Sequence, residues 1–343
     1  MLPWAAVAGQ PLCLPPPSPS RYPPLVANVV VVGSGAVGLF YGARLQRAGH
    51  QVVFVARRDL AALQERGLVV ESPDGSFRLE HVRAVAHAAE AGPADWVICS
   101  LKATALDAGP DLCAPAMGPA SRVVVLMNGF GVEEPFVARF GAERVLGAMA
   151  FVGVNRGEPG VVHHIAYGRV TVGHVAGDTA AAEAFAGLLA SAGIEAAIAP
   201  SLRFARWEKL CWNVPFNGLS VAAGGVGTRT ILADEALAAV AERAMREVVA
   251  TANADLAAIG EPHRLDPDVV VERMFAQTRI IADYKTSMLI DYLEGRPLEV
   301  EAILGAPLRR AQELGIDTPT IATLYALVRH ADRRTLAPAP ARP

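Results

Sequence analysis

The chain has 343 residues, 52% of them hydrophobic and 19% charged, with a formal net charge of −3. A balance this close to neutral supplies no basic surface for nucleic acid or for an anionic membrane, and the length suits two ordinary domains with a core each. The cysteines, Cys13, Cys99, Cys113 and Cys211, form no CxxC pair and no grouping with histidine. Neither a disulfide framework nor a metal centre is therefore expected, and reduced thiols in a cytoplasm fit best.

Residues 1–24 hold eight prolines, no basic residue before Arg21 and only a short, broken apolar piece, which reads as a flexible leader rather than a secretory signal. From Asn28 the text alternates short β-branched runs with helical stretches. Val29–Val32, Gln51–Val55, Trp96–Ser100 and Arg122–Met127 are predicted strands, and the continuously apolar ones suit a parallel sheet covered on both faces. Leu68–Glu71 and Phe77–Glu80 flank Pro73-Asp-Gly75 and predict a small hairpin, with further strand-like runs from Arg144 to Gly173. After about Pro200 helices dominate: Leu202–Ala222, Asp234–Ile259, Pro267–Ile281, Leu298–Leu314 and Thr320–His330. The uncharged run from Leu210 to Thr228 is long enough for a membrane span, but Asn213, Pro215, Asn217 and its glycines make it a buried helix instead. The predicted fold class is thus an α/β Rossmann N-terminal domain (25–200) with an all-α C-terminal domain (201–333), and the proline-alternating end, within 334–343, is expected to be a disordered tail.

Gly33-Ser34-Gly35-Ala36-Val37-Gly38 follows the first strand and opens an alanine-rich helix, the context that gives a GxGxxG pattern its meaning. The first glycine permits the tight turn, the second lets a pyrophosphate approach the backbone, and the third lets helix pack on strand. The second strand ends Ala56-Arg57-Arg58-Asp59. Arginine there suits a 2′-phosphate, so NADPH is the expected cofactor, with Arg57 the better candidate and Arg58 its neighbour; Asp59 is read as an N-cap for the next helix. Lys102 and Asn128 each follow an apolar strand, where ligands of parallel sheets bind; a loop lysine and a turn asparagine are equally good readings.

Lys209, Asn213 and Asn217 stand four apart and share one helix face, a polar stripe entering an apolar run. Buried amides and an ammonium need partners, which neighbouring backbone or a polar ligand can supply.

Taken together, the GxGAxG loop, Leu101-Lys102, Asn128-Gly129, Lys209xxxAsn213xxxAsn217 and Ser287-Met-Leu-Ile-Asp291 with Glu299 downstream resemble the ketopantoate reductase (2-dehydropantoate 2-reductase) family over about Asn28 to His330. The resemblance implies NADPH-dependent reduction of a 2-oxo acid, ketopantoate first. It implies Lys209 and Glu299 as catalytic residues and Asn213, Asn217 and Ser287 as substrate ligands. Lys102 and Asn128 would lie near the nicotinamide and Arg57 at the 2′-phosphate. Two positions depart from the pattern: Tyr284 stands where some members have an asparagine, and Pro215 falls between the stripe asparagines, where a lost helical hydrogen bond should kink the helix near Cys211.

The chemistry asks for the same parts. Hydride arriving at a 2-oxo carbon builds charge on the carbonyl oxygen, and a buried ammonium there can stabilise it and give up its proton, with Glu299 holding the amine charged. Glu299 is read in the first turn of a helix introduced by Pro297, where an acid is favoured whatever its function. A 3-hydroxy acid or 6-phosphogluconate-type dehydrogenase also uses a LysxxxAsn element, but Phe204-Ala-Arg-Trp-Glu208 replaces the glycine-rich lead-in usual there. A non-catalytic NADPH-binding sensor is the reading from another class. Exposed apolar faces on the C-terminal helices would permit a homodimer.

Overall fold

A computed structural model of the chain describes residues 26–280 and 284–336. The expected leader, Cys13, Ile281 and residues 337–343 lie outside them. The described residues divide into two compact units, one reaching to Met127 and including Val132–Leu202, the other formed by Asn128–Gly131 and the chain from Arg203 onward.

The first unit is built on a sheet of β1 (Asn28–Val32), β2 (Gln51–Val55), β3 (Leu68–Glu71), β4 (Phe77–Leu79), β5 (Arg83–Val85), β6 (Ala94–Cys99), β7 (Met117–Val125), β8 (Val145–Arg156), β9 (Val161–His174) and β10 (Ala196–Ile198). Their order is β4-β3-β9-β8-β7-β6-β1-β2-β5, with β10 beside β9. From β5 across to β8 every neighbour is parallel, so the carboxyl ends of β1, β2, β6 and β7 share one edge, and the strand order reverses at β1. Ligands of open α/β sheets bind at such a reversal. β1 is apolar without alternation, as a strand covered on both faces should be, and Val29 to Val32 are all buried. The predicted hairpin is present as β3 against β4, with Val69 opposite Arg78. The long antiparallel pair β8 and β9 matches the strand-like runs after Arg144.

Helices α1 (Ala36–Arg47), α2 (Leu60–Arg66), α3 (Gly109–Cys113), α4 (Glu134–Phe140) and α5 (Thr179–Ser191) pack on this sheet. α5 has no counterpart among the predicted elements, although Asp178 caps it, its carboxylate accepting the Ala181 N–H at 3.1 Å.

The second unit is helical: α6 (Leu202–Ala222), α7 (Thr228–Ala233), α8 (Glu235–Ala258), α9 (Pro267–Ile280), α10 (Ser287–Leu293), α11 (Ala306–Glu313) and α12 (Pro319–Leu336). α6 spans the predicted residues and runs on through Pro215. α12 runs to Leu336, past the start of the expected tail. Within this unit the Asp255 carboxylate of α8 is fully buried and accepts from Arg203 (2.5 and 2.7 Å), Trp207 (2.7 Å) and Arg310 (2.6 Å). Burial by itself would raise its pKa, but those hydrogen bonds outweigh it and the carboxyl is held low. The first turns of α6 are thereby tied to α8 and α11.

One predicted helix differs in its start. Instead of a uniform helix from Leu298, the segment begins at Val300 and opens with a wide turn over Glu301–Gly305 before α11. The Ala306 N–H reaches back to Glu301 O, and the next residue, Pro307, has no N–H for the Ala302 carbonyl. Ala302 O accepts the Phe130 N–H instead, at 2.9 Å.

Candidate active site

The glycine loop leads from β1 into α1. Gly33 has φ +100°, and a Cβ there would meet Leu101 N at 2.7 Å. A Cβ on Gly38 would strike Gly33 O and Ser100 Oγ, each at 2.3 Å, so this glycine lets α1 pack against the sheet. Gly35 is different: nothing lies within 4 Å of its Cβ position, and it starts α1 with no side chain capping the helix amides. Two glycines closed by protein and one open at an uncapped helix N-terminus fit a dinucleotide pyrophosphate.

After β2, Arg57 and Arg58 are exposed, while Asp59 is buried. Asp59 does precede α2, but its side chain caps nothing there. Its carboxylate pairs with Arg156 from the end of β8 and accepts the Gly160 N–H at 3.2 Å, because an arginine outbids a helix amide for a buried charge. Arg58 donates to Gly157 O at 2.9 Å, whereas the Arg57 guanidinium has no hydrogen-bond or ion-pair partner among the described residues. Lys102 is exposed just beyond β6, where it starts a short turn over Ala103–Ala105.

In the helical unit α6 buries Lys209, Asn213 and Asn217 on the expected face. Only 9% of Lys209 is exposed. Burial, and secondarily the neighbouring Arg206, pull its pKa down to about 7, against the raising influence of Glu299. Glu299 is itself buried, and the Asn128 amide Nδ2 lies 3.5 Å from its Oε2, a long contact between residues 171 apart in sequence. Glu299 precedes the helix instead of sitting in its first turn: its carbonyl accepts the Ile303 N–H at 3.1 Å. The Phe130–Ala302 bond and the Phe130–Trp207 ring contact, 4.2 Å between centroids, hold the Asn128–Gly131 loop against this part of the unit. Asn128 thus meets Glu299, whose carboxylate acts on the buried Lys209 ammonium.

The sequence profile described as ketopantoate reductase PanE/ApbA matches residues 29–177, and that of the family's C-terminal domain matches residues 201–332. The chain belongs to the ketopantoate reductase family. It is 37% identical to a 2-dehydropantoate 2-reductase of Nostoc sp. over 310 residues, covering 89% of this chain and 95% of that one. Among solved structures, 2-dehydropantoate 2-reductase from Geobacter metallireducens is 40% identical with a TM-score of 0.85, covering 88% of this chain and 99% of that one. The enzyme from Methylococcus capsulatus is 33% identical with a TM-score of 0.80, over 91% and 99% respectively.

Asn213, Asn217 and Ser287, the residues expected to meet substrate, differ in environment. The Asn213 side chain is buried and makes no hydrogen bond among the described residues. Asn217 spends its carbonyl on the Met288 N–H at 3.2 Å, and Thr286 caps α10 beside it by accepting from Leu289 N. Ser287 is exposed in the first turn of α10. Tyr284, the departure from the ketopantoate reductase pattern, accepts the Thr228 N–H at 3.0 Å and faces Trp212, with ring centroids 6.1 Å apart. Arg206, buried one turn before Lys209, and Arg156 are functional neighbours beyond the expected set. The spacing from Arg206 to Lys209 was a usable signal; Arg156 offered none.

Proposed function

We propose that the protein reduces 2-dehydropantoate to pantoate with NADPH, using Lys209 as general acid. The observation that carries this reading is a lysine buried beside Glu299 with its pKa drawn to about 7, where the amine is charged in part and gives up a proton readily. When bound, the nicotinamide supplies the hydride for the keto carbon. The Lys209 ammonium stabilises the negative charge growing on the carbonyl oxygen and transfers its proton there. The Glu299 carboxylate keeps the ammonium charged, and Asn128 steadies that carboxylate. Asn213, whose buried side chain has no hydrogen-bond partner among the described residues, is suited to the substrate's carboxylate or hydroxyl, with Asn217 and Ser287 completing the set. On the cofactor side the loop Gly33–Gly38 takes the pyrophosphate and Arg57 the 2′-phosphate, with Lys102 toward the nicotinamide end.

The buried thiols of Cys99, Cys113 and Cys211 suit a cytoplasmic enzyme, and no helix among the described residues is long and apolar enough to cross a membrane. The exposed Leu293 and Leu327 of the helical unit suit a homodimer.

The test is a panel of 2-oxo acids, with 3-hydroxy acids alongside, supplied with NADPH and NADH in parallel. 2-Dehydropantoate should consume NADPH and yield pantoate. Turnover of 3-hydroxy acids alone, or binding of NADPH with no turnover of any acid, would replace this reading.

A further inference from the structure

We propose that the Arg156–Asp59 ion pair sets the preference for NADPH over NADH, by removing an acid that would otherwise grip the ribose. This rests on the NADPH reading above.

Just after β2, where a dinucleotide's adenosine ribose is read, a free carboxylate accepts from the 2′-hydroxyl of NADH and repels the 2′-phosphate of NADPH. This chain carries such an acid, Asp59, two residues past Arg57. It is only 2% exposed, and both of its oxygens are taken: Oδ2 pairs with Arg156 and Oδ1 accepts the Gly160 N–H at 3.2 Å. Both groups come from the connection of β8 to β9, far along the chain, Arg156 as the last residue of β8 and Gly160 from the turn itself. The same turn holds Arg58 through Gly157 O, at 2.9 Å. Of the three charged side chains following β2, the turn occupies two and leaves Arg57 for a ligand. A neutralised carboxylate neither accepts a ribose hydroxyl nor opposes a phosphate, so the region presents net positive charge.

Arg156 also donates to Ser34 O in the glycine loop, at 2.6 Å. That contact supports the pyrophosphate cradle, which both dinucleotides share, so its loss weakens both alike. Charge pairing and loop support therefore have different signatures.

The experiment measures Kd for NADPH and for NADH on the purified protein without substrate, by nicotinamide fluorescence. Wild type should prefer NADPH. Arg156→Met, which frees Asp59, should lower the NADPH-over-NADH preference about tenfold or more. Arg156→Lys, which keeps a cation for Asp59 but has a shorter reach toward Ser34 O, should weaken both dinucleotides while retaining the preference. Arg156→Met/Asp59→Asn should recover it, because no charge remains to repel phosphate. A preference in Arg156→Met equal to that of wild type, or no recovery in the double variant, overturns the inference. If Arg156→Met does not fold, Asp59→Asn decides: a preference at least as large as wild type supports sequestration, and a shift toward NADH overturns it. Failure of wild type to bind either dinucleotide would instead remove the NADPH reading itself.

Discussion

The Phe130 N–H donates to the Ala302 carbonyl at 2.9 Å, and this one backbone bond joins the loop carrying Asn128 to the turn that follows Glu299. In the i→i+5 register of this turn Pro307 offers that carbonyl no N–H, which leaves it open to Phe130. A proline that looks merely tolerated near the start of α11 thus helps to bring a strand-end asparagine to a buried glutamate. Wide turns inserted into helices recur at functional sites, and here the backbone cost of the turn is offset by a long-range hydrogen bond.

The close packing of this loop makes Gly129 its most vulnerable position. Gly129 has φ +111°, and a Cβ would come within 2.5 Å of Ala302 Cβ. Gly129→Ala should destabilise the protein by about 1–3 kcal/mol. It should also lower kcat by moving Asn128 from Glu299. Thermal melting and steady-state kinetics on the same preparation check both; a variant with wild-type melting and wild-type kcat would mean the loop can shift freely.

Lys209 should impose a descending limb on the pH profile. With its pKa near 7, the protonated fraction that can act as acid falls as pH rises through that value, so kcat for reduction should decline on the alkaline side. Lys209→Ala should cost about 100- to 10,000-fold in kcat and remove the limb. Stability runs the other way. The folded-state pKa of about 7 lies below the ordinary 10.5, so between those values the unfolded chain binds more protons, and this group's contribution to stability rises with pH. Lys209→Met should therefore lose ground relative to wild type as pH is raised across that window. Denaturant titrations at several pH values measure it, and a flat difference would mean the amine is well solvated.

The glycine loop offers a paired contrast. Gly38→Ala puts a methyl 2.3 Å from Gly33 O and Ser100 Oγ and should damage folding and dinucleotide binding together. Gly35→Ala meets nothing within 4 Å and keeps an ordinary φ of −79°, so melting should stay at the wild-type value while NADPH binding weakens by about tenfold or more, the methyl taking pyrophosphate space. Equal NADPH affinity in Gly35→Ala and wild type would place the pyrophosphate elsewhere.

The sequence by itself determined the local grammar of this protein. The apolar runs of β1, β2 and β7, the glycine spacing before α1 and the four-residue stripe of Lys209, Asn213 and Asn217 depend on period and on neighbours a few residues away, so they were legible without coordinates. The bounds of α6, Leu202–Ala222, followed from the same local pattern, with Pro215 inside it. Asp59 marks where that reasoning stops. Its place before α2 was read correctly, but its bond goes to Arg156, 97 residues away, where no local pattern reaches. Asn128 meeting Glu299 across 171 residues is the same kind of fact, as is the wide turn at Ala302, which is set by a distant donor as much as by Pro307. The lowered pKa of Lys209 belongs to tertiary structure as well, because desolvation is a property of everything packed around an amine and not of the helix that carries it.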